Sequence, residues 1–167
     1  MSAAKFIQQL RHPVKFRLYL LWKLPAAFIS GVRIREIDEQ HCVTTVPYKW
    51  LSQNPFRSTY FACLAMAAEM SSGSLILVHV NDMPVKVSSL VVKFEASYFK
   101  KATSVTRFVC NEGAAIRATI EKAIASGEPQ TYVTKATGTN KQGELVAECL
   151  ITWSFKAKAA NPNASKA

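Results

Sequence analysis

Between Arg57 and Asp82 the sequence RSTYFACLAMAAEMSSGSLILVHVND holds one formally charged residue, Glu69. An unpaired carboxylate in apolar surroundings is costly to ionise, and desolvation raises its pKa toward neutrality. General-base activation of a water molecule requires a carboxylate tuned in this way. Read as a helix, the stretch gives Glu69 the neighbours Ala62, Ala65, Met66, Ser72 and Gly73 one and two turns away. That face is mostly small, which leaves space beside the carboxyl group. The same residues also fit a glutamate near a helix end, partly exposed or paired with a lysine. Asn54, followed by Pro55, precedes Glu69 by fifteen positions. Asn before Pro is ordinary helix-start chemistry. The other role open to Asn54 is an amide that donates to a ligand carbonyl or orients a water.

Other catalytic signatures are absent from the sequence. It contains no G-x-S-x-G, no phosphate-binding loop and no dinucleotide glycine motif. His12, His41 and His79 lack metal-ligand spacing and read as structural histidines, so no metal site is expected. Cys42, Cys63, Cys110 and Cys149 lie far apart without a C-x-x-C. They suit neither a disulfide framework nor a zinc module and fit a reducing, cytoplasmic setting.

The 167 residues make one domain's worth of chain, and 49% apolar against 19% charged composition excludes intrinsic disorder. No uninterrupted apolar run reaches the ~18–20 residues of a spanning helix, so no membrane span is expected. Residues 31–37 and 40–46 read as a hairpin, and 57–73 as a long buried helix with Gly73 as a possible stop. Leu90, Val92, Phe94, Ala96 and Tyr98 alternate along one face of a further strand. A strand at 104–110, a helix at 114–125 and two strands at 130–139 and 144–156 complete the chain. Ala147, Cys149, Ile151, Trp153 and Phe155 form the apolar face of the last strand. Hairpins around one apolar helix define an α+β class. The expected organisation is a helical extension at 1–30, a single domain at 31–156 and a disordered tail at 157–167.

The formal net charge is +10, yet residues 36–155 hold 11 bases and 11 acids. The excess is terminal, with seven bases and no acid before residue 36 and three lysines from 156 onward. A basic arm attracts polyanions of any kind, whether nucleic acid, anionic lipid or coenzyme phosphates. Stacking aromatics interleaved with bases are not evident, so no specific nucleic-acid partner is expected. Bases precede the apolar stretch Leu18–Ile29 in the order of a secretory signal. Lys23 and Pro25 interrupt that stretch, and an amphipathic helix covering the domain is the expected structure.

This order of elements, with Asn54 before the helix, Glu69 inside it and the segment NPFRSTYFACLAMAAE, resembles the hotdog-fold thioesterase superfamily. The likeness is to PaaI-like acyl-CoA thioesterases and to an uncharacterised, domain-of-unknown-function branch, over about residues 31–155. The resemblance implies a curved antiparallel sheet wrapped around a long central helix. It implies hydrolysis of an acyl-CoA or related thioester, with coenzyme A present only as part of the substrate and no separate cofactor. Glu69 would be the general base or nucleophile, and Asn54 would position water or the thioester. The backbone N–H of Phe61 would polarise the thioester carbonyl, and Ser89 on the following strand would assist. Tyr60 and Ala62 would border the substrate, with Arg57, Lys86 and Lys93 meeting coenzyme phosphates or else forming a solvated face. Many relatives carry His-Gly-Gly where this chain has Tyr60-Phe61-Ala62, so Phe brings bulk where Gly admits the ligand. The resemblance further implies a homodimer or dimer of dimers with the site between subunits. Two other readings remain: a non-catalytic acyl-CoA-binding module, and a hotdog dehydratase, which would need a histidine at 54–60 that this chain lacks.

Overall fold

A computed structural model describes residues 2–158. Three helices come first: α1 (Ala3–Arg11), α2 (Pro13–Lys23) and α3 (Pro25–Ser30). Strands β1 (Arg33–Ile37) and β2 (Cys42–Val46) and a 3-10 turn at Trp50–Ser52 lead into the long helix α4 (Phe61–Asp82). Then follow β3 (Val87–Tyr98), β4 (Thr106–Cys110), α5 (Gly113–Ser126), β5 (Gln130–Thr139) and β6 (Leu145–Ala157). The six strands form one antiparallel sheet in the order β1-β2-β4-β5-β6-β3. Helix α4 touches all six strands, which gives the expected α+β arrangement of a sheet around a central helix.

The start of the chain differs from the single helix expected there. Pro13 and Pro25 each open a new helix at its first turn, where the missing N–H costs nothing. The chain therefore bends twice within residues 3–30. Ile7, Leu10, Phe16 and Leu20 bury against the same core as α4. At the other end, β6 runs to Ala157 and Lys158 donates its N–H to the Lys86 carbonyl, while 159–167 of the expected tail lie outside the described residues.

Alternation placed β6 correctly: Ala147, Cys149, Ile151, Trp153 and Phe155 are all buried on the helix side. In β3 the alternation misled. A bulge between Val91 and Lys93 leaves Val92 unpaired, with Val91 opposite Trp153 and Phe94 opposite Ile151. Cross-strand partners share a face, so Ser89, Val91, Phe94, Ala96 and Tyr98 face the helix side while Leu90 faces away. One extra residue thus switches the faces midway along the strand.

Helix α4 passes through Gly73 without stopping, because burial among six strands outweighs the ~1 kcal/mol a helical glycine costs. Among the described residues it is the one helix long and apolar enough to cross a membrane, and most of that stretch is buried inside the fold. The Thr44 hydroxyl donates to the Ala67 carbonyl at 2.6 Å and ties β2 to the helix.

Gly138 stands opposite Phe108 in the β4–β5 pair, and a methyl group there would lie 2.5 Å from the buried ring. Gly138→Ala is therefore expected to destabilise the protein by about 1–3 kcal/mol through overpacking, read as a lowered urea midpoint.

Candidate functional site

The Glu69 carboxyl group lies in a cavity of about 520 Å³ between α4, the N-terminal helices and the β3–β6 edge of the sheet. Phe6, Leu10, Phe16, Leu20, Met70 and Trp153 supply much of an apolar wall, and Ser89 reaches the cavity from β3. Glu69 is half-buried and makes no side-chain hydrogen bond or ion pair among the described residues. Lys15 also lines the cavity but stays beyond ion-pair distance. Burial alone pushes the Glu69 carboxyl above the usual carboxylate range.

The small face read in the sequence has a specific geometry. A methyl group on Gly73 would stand 2.8 Å from Glu69 Oε1 and 3.5 Å from Trp153 Cη2. The glycine one turn on therefore vacates the space that the carboxylate occupies. Trp153 Nε1 donates to Ser72 Oγ at 3.2 Å, and Ser72 Oγ donates to the Glu69 carbonyl at 3.2 Å. These two bonds hold the indole against the helix beside the carboxylate. Gly73, Ser72 and Trp153 are site-building residues. For Gly73 and Ser72 the helical spacing from Glu69 carries the signal, and for Trp153 the alternation of β6 gives the inward face but not the contact with Ser72.

Asn54 is placed elsewhere, in a second hollow lined also by Tyr60, Phe61, Tyr98, Lys100 and Lys101. It does not cap α4. Its side-chain oxygen instead accepts from Phe56 N at 3.0 Å, Ser58 N at 3.2 Å and Ser58 Oγ at 3.2 Å, closing the 54–58 turn in which Arg57 adopts φ 56°. The local reading of Asn54 thus applies to a turn before the helix. Its Nδ2 group, aimed by those three bonds, has no acceptor among the described residues and is free to donate.

Tyr60 and Phe61 stand at the head of α4 with rings in an edge contact, centroids 4.8 Å apart. Phe61 is the first helical residue, and its N–H is one of the orphan donors at the positive end of the helix dipole. Ala62 follows it, half-buried.

Within one chain, then, Glu69 and Ser89 share the cavity, while Asn54, Tyr60 and Phe61 share the hollow. The predicted bases are dispersed. Arg57, Lys86 and Lys93 are all exposed, and Lys93 pairs with Glu95 at 2.9 Å. Lys100 and Lys101, a basic pair directly after β3, border the Asn54 hollow instead, with Lys100 held by Glu144 at 2.6 Å.

The remaining nucleophile and ligand types are tied up in structure. Burial drives the Cys110 thiol up to about 12 and that of Cys149 up to about 11, and it raises Cys42 further still. None is a ready thiolate. His12 caps α2 by accepting from Lys15 N, His41 lies 2.8 Å from Asp38, and the buried His79 ring meets the Glu39 carbonyl at 2.9 Å.

A six-stranded antiparallel sheet wrapped around one long helix is the hotdog fold. The chain belongs to the family described as Domain of unknown function (DUF4442), whose model matches residues 16–155. That span includes most of α2 and all of α3, so these helices are part of the family's own unit.

Solved structures agree in fold. A Pseudomonas aeruginosa protein of unknown function, described as a probable thioesterase, superposes with a TM-score of 0.69 at 18% identity over 95% of this chain and 97% of its own. A Chlorobaculum tepidum protein of unknown function gives 0.73 at 13% identity over 93% and 94%. A Haemophilus influenzae thioesterase gives 0.63 at 13% identity over 87% and 92%. No curated protein matches by sequence.

Because the cavity disfavours the ionised carboxylate, the folded protein holds the Glu69 proton to higher pH than the unfolded chain does. The resulting penalty is absent below the ordinary glutamate range near pH ~4.3 and grows as pH rises through the folded value. Glu69→Gln is therefore expected to raise the melting temperature at neutral pH, with the gain vanishing toward acid. Thermal scans of both proteins across pH check this.

Asn54→Asp keeps the turn's acceptor and removes the free donor. It should leave the melting temperature near wild type while weakening ligand binding by roughly tenfold, the size of one hydrogen bond to a ligand. Parallel calorimetry and thermal scans separate the two roles.

Proposed function

We propose that this protein is an acyl-thioester hydrolase, with acyl-CoA as the substrate class and Glu69 as the base that activates water. One observation carries the reading: an unpaired, half-buried carboxylate faces an apolar cavity sized for an acyl chain. Glu69 takes a proton from water as the water oxygen attacks the thioester carbonyl carbon. The tetrahedral intermediate then collapses with cleavage of the C–S bond, and the proton passes to the departing thiolate. The Phe61 N–H, at the positive end of α4, stabilises the developing oxyanion, and Asn54 Nδ2 orients water or carbonyl.

A homodimer completes this site. β3 is a sheet edge of 12 residues with an unpaired backbone face. Phe94, Tyr98 and Phe99 stand exposed along it, and such an edge rarely stays unpaired. Ser89, near one end of β3, borders the Glu69 cavity, while Tyr98, at the other end, borders the Asn54 hollow. Antiparallel pairing of β3 with a second copy about its midpoint sets the first end of each strand beside the last end of the other. The Glu69 cavity of one protomer then meets the hollow holding Asn54 and Phe61 of its partner. Lys100 and Lys101 lie where coenzyme phosphates would emerge. A cytoplasmic location goes with this reading, since that compartment supplies acyl-CoA and keeps the four buried cysteines reduced. A dimer of dimers is a compatible further step.

The Tyr60–Phe61 ring pair at the helix head supports a second reading, an acyl-CoA-binding module without turnover. A panel of acyl-CoAs of graded chain length separates the two. The hydrolase reading expects turnover that falls about 10²–10⁴-fold in Glu69→Gln, the usual contribution of a general base. It also expects a clear loss in Gly73→Ala, which displaces the carboxylate while keeping the helix stable. Binding in calorimetry with no product from any chain length would establish the module instead, and full rate in Glu69→Gln would remove Glu69 from the chemistry.

A further inference from the structure

Helix α2 is apolar on two opposite sides. Phe16 and Leu20 point inward and, with Lys15, Tyr19 and Leu24, close the Glu69 cavity. At 100° per residue, Val14, Leu18, Leu21 and Trp22 fall within a stripe about 100° wide on the opposite side. All four are exposed, by 60%, 60%, 50% and 80%. Lys15 and Arg17 border the stripe on its two sides. Arg17 is held in place by its guanidinium lying 3.8 Å over the Phe28 ring.

We infer that α2 docks this protein on an anionic phospholipid surface. An outward apolar stripe alone would suit several partners, and charge decides among them. Residues 1–35 carry seven bases and no acid, although the 36–155 body is balanced. A helix with apolar residues on one face, bases at its flanks and a tryptophan at its rim has the composition of an in-plane interfacial helix. The lipid tails take up the stripe, and the headgroup charge takes up Lys15 and Arg17 beside it. A second copy of this chain would bury the stripe but would set two like-charged arms against each other. Docked in this way, α2 lies between the bilayer and the Glu69 cavity. The docking itself does not rest on the hydrolase reading.

The test is co-sedimentation of the full chain with vesicles of phosphatidylcholine alone and with one-third phosphatidylglycerol, at low and high salt. The expected result is preferential binding to the anionic vesicles, weakened by salt, with a blue shift of tryptophan fluorescence. Leu18→Glu with Trp22→Glu should lower binding by about tenfold or more, as apolar burial is lost and charge reversed. Lys15→Gln should lower it by about fivefold. All these side chains are exposed, and circular dichroism verifies that the variants fold. Equal binding to both compositions, no binding, or unchanged binding in the Leu18/Trp22 variant overturns the inference. So does a change of oligomeric state in that variant without vesicle affinity in the wild type, which would mean that a second copy covers the stripe.

Discussion

The structure is organised around the burial of one carboxylate without a counter-charge. Glu69 sits mid-helix inside a sheet, where ionisation is opposed by desolvation and no cation among the described residues comes within pairing distance. Such a group survives only if its neighbours are small enough to admit it and rigid enough not to collapse over it. Gly73 supplies the space, and the Trp153–Ser72 hydrogen bond supplies the rigidity. The N-terminal helices then line the remaining side with largely apolar residues, and burial keeps the carboxyl protonated to higher pH.

That constraint explains why the candidate site is divided. A helix that buries its middle can present orphan N–H groups only at its head, and Glu69 lies more than two turns away from Phe61. One chain therefore cannot bring the base and the helix-head donors to a single carbonyl. In the proposed homodimer the long edge strand β3 would offer the remedy, because its two ends border the two halves. The bulge at Val92 serves the same end. Without it, Ser89 and Phe94 would lie on opposite faces, and the strand could not border the cavity at one end while presenting Phe94 and Tyr98 on the same face further along.

Much of this was legible in sequence where local periodicity and burial agree. The face of β6, the length class of α4 and the isolation of Glu69 all follow from side-chain type at fixed spacing. Where two elements far apart in sequence determine the outcome, the reading failed. Local helix propensity reads Gly73 as a possible stop, whereas the packing of α4 against the sheet, with Trp153 beside Gly73, carries the helix through it. The β3 bulge left no mark in the alternation of apolar residues. Asn54 carried a cap signal that was chemically right, but its acceptor closes a turn ahead of the helix. The resemblance points to Arg57, Lys86 and Lys93 as bases for coenzyme phosphates, whereas Lys100 and Lys101 border the hollow through a loop conformation that spacing cannot encode.

Helix α2 shows a further limit of pattern reading. Apolar residues on opposite sides of a helix cancel in any measure of amphipathicity, so such a helix looks merely hydrophobic. Only coordinates separate the side that closes a cavity from the side that has no cover. Its charge is asymmetric for a related reason. Among the described residues, the bases before residue 36 enter no ion pair, and the 36–155 body balances its own charges. Self-repulsion among them disfavours the compact state, and a field of one sign persists in sequence space more readily when something outside the fold compensates it. The exposed stripe and three of the seven bases before residue 36, Lys15, Arg17 and Lys23, occupy the same helix. One anionic, apolar-cored surface satisfies both, whereas separate causes would have to coincide there.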